Sequence, residues 1–128
     1  MLPCSIVHTN PVLVVDDDPV IRTLILALLE RKGHPAEAAF DGDDAIARLR
    51  RKKYDALVLD LMLPGHNGFD VLQYLRAEKP EALQRTVVVT AASESTLRYF
   101  DEKTVHALIR KPFDIDELAH AVDDCCGG

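Results

Sequence analysis

Residues 55–68 read DALVLDLMLPGHNG. The apolar residues Ala56, Leu57, Val58 and Leu59 run into the carboxylate Asp60, and a loop punctuated by proline and glycine follows. A continuous apolar run of about four to eight residues bounded by turn signals predicts a strand buried on both faces, as in a parallel sheet. A carboxylate at the C-terminal end of such a strand lies where open α/β sheets bind their ligands. Alone, Asp60 reads equally well as a helix cap or turn aspartate, the commoner role of Asp after a strand. Its role is decided by what the other strands bring to the same edge.

Upstream, Val12, Leu13, Val14 and Val15 form another such run and end in Asp16, Asp17 and Asp18. Pro19 in the favoured first helical position, with Asp18 as N-cap, opens a helix in which Val20, Ile21, Leu24, Ile25, Leu28 and Leu29 recur at helical spacing. Gly33 closes it. Residues 36–40 predict a weaker, alanine-rich strand, and Asp41-Gly42-Asp43 turns the chain into a helix with Ala45, Ile46 and Leu49 on one face. Beyond the central strand, Gly68 and Phe69 open a third helix with Phe69, Leu72 and Leu75 inward, and Pro80 stops it.

Residues 86–89 (TVVV) predict a fourth strand ending at Thr90. Residues 93–103 are polar, with only Leu97 and Phe100 as anchors, and predict a short exposed helix. Residues 105–109 predict a fifth strand, followed by Arg110-Lys111-Pro112-Phe113. Asp114 or Asp116 then caps a last helix with Ile115, Leu118, Ala119 and Val122 on one face. Strand then helix, five times over, predicts a single three-layer α/β domain: a five-stranded parallel sheet with helices on both faces and right-handed crossovers. The domain is expected over residues 11–126, after an irregular lead-in at residues 1–10.

The 128 residues suffice for one domain burying roughly two-thirds of its unfolded surface. A net charge of −6 and a pI near 5.3 argue against direct nucleic-acid binding, which needs a basic face. One basic run, RLRRKK at residues 48–53, resembles a phosphate patch. It ends a predicted helix, where cations complement the dipole, so a solvated helix terminus is the simpler reading. Cys4, Cys125 and Cys126 are odd in number and lack framework spacing, which points to a reducing compartment. The CCGG ending lacks the aliphatic pair of a prenylation signal. No apolar run reaches the roughly eighteen residues of a membrane span, and MLPCSIVHTN has no signal-peptide pattern. A cytoplasmic protein with neither membrane nor nucleic acid as a direct partner is expected.

Every strand of a parallel sheet points its C-terminal end at one edge. The first strand delivers Asp16 and Asp17 there, the third Asp60, the fourth Thr90 and the fifth Lys111. Carboxylates packed this closely raise one another's pKa unless a cation sits among them. Oxygen-only ligands suit Mg²⁺, which prefers one or two carboxylates plus a phosphate. A lysine supplies a point charge for phosphoryl oxygens, and a threonine hydroxyl a hydrogen bond. A phosphoryl group on one carboxylate would fit all of these groups. No Gly-rich P-loop or G-x-G-x-x-G motif supports nucleotide binding. His8, His34, His66, His106 and His120 are scattered, without a Ser–His or Cys–His pairing, and read as surface or turn residues.

Together VLVVDDDP (12–19), VLDLMLPGHNG (58–68), VVVTAA (87–92) and IRKPF (109–113) resemble the receiver domain of bacterial two-component response regulators, over residues 11–124. The resemblance implies a flavodoxin-like sheet in the order 2-1-3-4-5. It implies that Asp60 accepts a phosphoryl group from a phosphohistidine of a sensor histidine kinase or histidine phosphotransfer protein. Asp16, Asp17, Asp60 and the backbone carbonyl of Met62 would hold Mg²⁺, Thr90 and Lys111 would contact the phosphoryl oxygens, and Lys111–Pro112 would be cis. Such a domain is a signalling switch rather than an enzyme with its own substrate. It presents the surface of its fourth helix, fifth strand and fifth helix to an output domain or target protein, and that surface is also the expected place for a homodimer.

Two departures stand out. The switch aromatic that the family carries three residues before the lysine is here Leu108, which leaves Tyr99 or Phe100 as substitutes. The segment before the fifth strand lacks the usual small Gly-Ala step. Two readings compete with the receiver. Asp16-Asp17-Asp18 contains the Asp-x-Asp of haloacid-dehalogenase-like phosphohydrolases, with Asp16 as nucleophile and Asp18 as acid/base, but the chain is short for the cap such enzymes carry. Leu108 leaves room for a receiver-like binding module that is never phosphorylated.

Overall fold

Each apolar run of the sequence becomes a strand: β1 (Val12–Val15), β2 (Ala36–Ala39), β3 (Ala56–Asp60), β4 (Thr86–Thr90) and β5 (Ala107–Arg110). The computed structural model describes residues 10–63, 67–98 and 100–126. All strands are parallel, in the order β2-β1-β3-β4-β5. Helices α1 (Pro19–Arg31), α2 (Gly42–Arg51), α3 (Gly68–Glu78), α4 (Glu94–Leu97) and α5 (Ile115–Cys125) connect them, with 3-10 turns at Pro80–Arg85 and Glu102–Thr104.

Alternation along the strands divides the core in two. Leu13, Val15, Leu57, Leu59 and Val88 pack with Leu49 of α2 and with Val71 and Leu75 of α3. Val12, Val14, Val58, Val87, Val89 and Ile109 pack with Ile25 and Leu29 of α1 and with Leu118 and Val122 of α5. Strands covered on both faces must be apolar on both, which is why they read as continuous runs. The caps follow the sequence. Asp18 accepts from the Val20 and Ile21 amides, Asp41 from Asp44, Asn67 from Asp70 and Asp114 from Asp116. Gly33 takes φ +86° past the end of α1, a conformation that favours glycine.

Four expectations change. The helix predicted over residues 93–103 is α4, only four residues long, followed by a separate 3-10 turn. Ser93 caps it, but Leu97 alone is buried along it, and one apolar anchor cannot sustain a longer amphipathic helix. The fifth strand begins at Ala107 rather than at residue 105. Pro80 ends α3 and at once opens a 3-10 turn, whose first position needs no amide hydrogen. Val20 and Leu24 keep the helical spacing of α1 but face outward, 73% and 50% exposed. Cys4, the lead-in at residues 1–9, the Pro64-Gly65-His66 part of the central loop, and Tyr99 lie outside the described residues. Among the described residues no helix is long and apolar enough to cross a membrane.

Candidate functional site

Register builds the site. Val15 pairs with Leu59, so the next residues, Asp16 and Asp60, arrive side by side at the C-terminal edge. Thr90 pairs with Arg110, so Lys111 lands one residue beyond it, where its amide donates to the Thr90 carbonyl at 2.8 Å. Asp16 and Asp60 are 2% and 4% exposed, and Thr90 is buried. Lys111 bridges the two carboxylates, with Nζ 3.1 Å from Asp16 Oδ2 and 3.1 Å from Asp60 Oδ2. The Lys111–Pro112 peptide is cis, as the resemblance implies.

Each carboxylate also has a backbone donor. The Met62 amide donates to Asp60 Oδ1 at 3.0 Å, and the Asp18 amide to Asp16 Oδ1 at 2.9 Å. Thr90 Oγ1 accepts from the Ala92 amide at 3.0 Å, which holds the hydroxyl at the turn after β4. Burial pushes the Asp60 carboxyl above its ordinary pKa. The Met62 and Lys111 hydrogen bonds pull the other way, and neighbouring Asp16 adds to the rise. Burial would lower the Lys111 ammonium, but its bonds to Asp16 and Asp60 outweigh that and hold it above its usual value.

Asp16, Asp17 and Asp60 bring carboxylate oxygens within 4.8 Å of one another. Two of them are buried, one is exposed, and all donors are oxygen, a set suited to a hard divalent cation with open positions. The structure therefore unites Asp16, Asp17, Asp60, Thr90 and Lys111, and it places Met62 beside Asp60 through its amide.

Two residues escaped the sequence reading. Arg22, in the first turns of α1, donates from Nη1 to the Asp16 carbonyl at 2.7 Å and lies 4.7 Å from the centroid of the Phe40 ring. Gly68 donates its amide to the Leu61 carbonyl at 2.9 Å, and a Cβ there would collide with the Asp60 carbonyl oxygen and Leu61 Cα. The start of α3 thus presses on the backbone that carries Asp60. A glycine at a helix start hinted at this, whereas nothing local marks Arg22.

At the departure site Leu108 is half-buried against the α2/α3 side of the core. Phe100 meets Phe69 of α3 edge-on, with centroids 6.4 Å apart. With Phe69 and Thr96 of α4 it lines an open cleft between α3 and α4.

The family model for the response regulator receiver domain matches residues 12–123. The chain belongs to the response regulator receiver family. This receiver domain is 38% identical over 109 residues to the probable transcriptional regulatory protein TcrX of Mycobacterium tuberculosis, an alignment covering 84% of this chain and 45% of TcrX. It thus spans about half the length of the transcriptional regulators it matches. Among solved structures, the Francisella response regulator 1452 receiver domain superposes with a TM-score of 0.79 at 30% identity, covering 93% of this chain and 98% of that one. The response regulator TrrA of Thermotoga maritima, solved with Mg²⁺ and BeF, gives a TM-score of 0.80 at 29% identity, with 91% and 99% covered.

Proposed function

We propose that this receiver accepts a phosphoryl group on Asp60 from the phosphohistidine of a sensor histidine kinase or a histidine phosphotransfer protein. The observation that carries this is the buried Asp60 carboxylate, level with Asp16 and bridged to it by Lys111. An Asp60 oxygen attacks phosphorus in line. The P–O bond forms as the P–N bond breaks, and the electron pair leaves on the imidazole nitrogen. Asp16, Asp17, Asp60 and the Met62 carbonyl would hold Mg²⁺, which when bound neutralises charge on the phosphoryl oxygens. Lys111 releases its carboxylate partners to meet a phosphoryl oxygen, and the Thr90 hydroxyl donates to another.

Access is built around the same edge. Among the described residues, Val20, Leu24, Phe40 and Met62 are the large apolar side chains that stand exposed, all on α1 or on loops after β2 and β3. They offer a donor protein an apolar rim beside the carboxylates. Exposed Glu94 of α4 pairs with Arg110 at 2.9 Å, one residue before Lys111, so movement of the lysine reaches α4 directly. The face of α4, β5 and α5 then signals to an output domain or target protein as a population shift, and hydrolysis of the acyl phosphate resets it. Dimerisation through that face belongs to the same reading. A mass by light scattering that stays monomeric with beryllofluoride would count against it.

Labelling by acetyl phosphate tests the assignment. Labelling is expected to require Mg²⁺ and to vanish in Asp60→Asn. Persistence in that variant, or no labelling of the parent, overturns the reading, and a label mapped to Asp16 would favour the phosphohydrolase.

A further inference from the structure

The basic run at residues 48–53 takes no part in the phosphoacceptor site. It lies at the opposite, N-terminal edge of the sheet, where a cavity of about 190 Å³ opens between the ends of α2 and α3 and the Pro80–Arg85 turn. Lys52, Lys53, Lys79 and Arg85 line it against a single carboxylate, Glu81, over an apolar floor that includes Leu57 of β3.

Helix ends account for part of this charge. Lys52 is the C-cap residue of α2 and pairs with Glu37, and Lys79 is that of α3 and donates to the Leu49 carbonyl. Lys53 and Arg85 serve neither end, and among the described residues they form no ion pair. Asp55 and Arg85 both reach the end of α5: burial first and then the Asp55 charge raise the Cys126 thiol, and the Arg85 charge opposes the rise of Cys125. With Lys52 set against Glu37 and one cation against Glu81, two positive charges remain, the charge of a phosphomonoester dianion.

Size narrows the ligand further. The cavity is smaller than the roughly 300–1,000 Å³ of drug-sized sites and several times the roughly 30 Å³ of a water, so it suits a phosphate with a few carbons. A guanidinium fork such as that of Arg85 matches phosphate oxygens in pairs. On a chain of net charge −6, a local cationic pocket concentrates anions that the rest of the surface repels. We propose that this pocket binds a small soluble phosphomonoester, its phosphate held by Lys53, Lys79 and Arg85 and its carbon body on Leu57.

Titrating the isotope-labelled chain with glycerol phosphate at constant ionic strength, and following the amide resonances, tests this. Saturable shifts are expected at residues 52–57 and 79–86, unchanged in Asp60→Asn and weakened by roughly tenfold or more in Lys53→Gln/Arg85→Gln. Shifts that never saturate, that sodium sulfate reproduces equally, or that the double variant retains would overturn the proposal. So would shifts produced only by phosphatidylglycerol vesicles, which would make the ligand a membrane surface. Lys53 is exposed, so Lys53→Gln alone leaves the fold intact. A severalfold loss of affinity in that single variant decides the matter if the double variant fails to fold.

Discussion

The two ends of this sheet handle charge in opposite ways. At the C-terminal edge, Asp16 and Asp60 are buried together and share one lysine, so negative charge outweighs positive among buried groups. At the N-terminal edge, cations dominate, and two of them, Arg48 and Lys52, are paired in half-exposed networks. Glu37 of β2 receives Arg48, Lys52 and the Tyr54 hydroxyl, while Arg48 also holds Asp44 one turn away. The buried imbalance is one that a cation and a phosphoryl group can relieve, as the proposed role of Asp60 requires. The exposed pairs are near balance and contribute little to stability each. Burial, rather than the number of charges, separates a switch from a scaffold.

Removing the shared cation breaks the comparison most severely. Lys111→Met leaves two buried carboxylates facing each other, and the metal-free protein is expected to lose about 3 kcal/mol in denaturant unfolding. Millimolar Mg²⁺ should restore much of that loss, because the metal takes over the neutralising role; no restoration would contradict the proposed ligand set. Next in size is Gly68→Ala. Its Cβ must displace the Asp60–Leu61 backbone, at a cost of roughly 1–3 kcal/mol, together with slower acetyl phosphate labelling.

Asp60→Asn sharpens the contrast in the other direction. A carboxyl whose folded pKa is raised favours folding below its ordinary value of 3.8, and that contribution is lost as pH rises through the raised value. At neutral pH without metal the charged Asp60 is therefore a liability, and Asp60→Asn is expected to raise the thermal midpoint. The gain should shrink as pH falls through the raised pKa, and an equal gain at every pH would show that burial is not the cause.

At the other edge, Glu37 is held below its ordinary pKa first by Lys52, with Tyr54 and Arg48 adding to it. Its contribution is present above the ordinary value of 4.5 and fades only as pH drops through the lowered one. Glu37→Gln is the mildest change, expected to cost about 0.5 kcal/mol at neutral pH and less in high salt, as read from urea midpoints.

Much of both ends was legible in the residues. Four apolar runs ending in Asp16, Asp60, Thr90 and Lys111 sufficed to place one functional edge, because parallel strands buried on both faces cannot alternate. The polar stretch after Thr90 was legible only as weakness, since a sequence with only Leu97 and Phe100 as anchors does not say where its helix stops. Tertiary packing decided that, placing Phe100 on Phe69 beside a four-residue α4.

By itself, the sequence determined which groups meet at the acidic edge, since strand ends and side-chain chemistry are local properties. Only the tertiary structure decided how they meet. The pairing of Val15 with Leu59 brings Asp16 level with Asp60, and the close approach of Gly68 presses α3 onto that strand end. The basic run shows the same division. Its charges were plain in the chain, but Lys79 and Arg85 join them only because α3 and the turn before β4 end at the same edge, across distances in sequence that no local pattern spans.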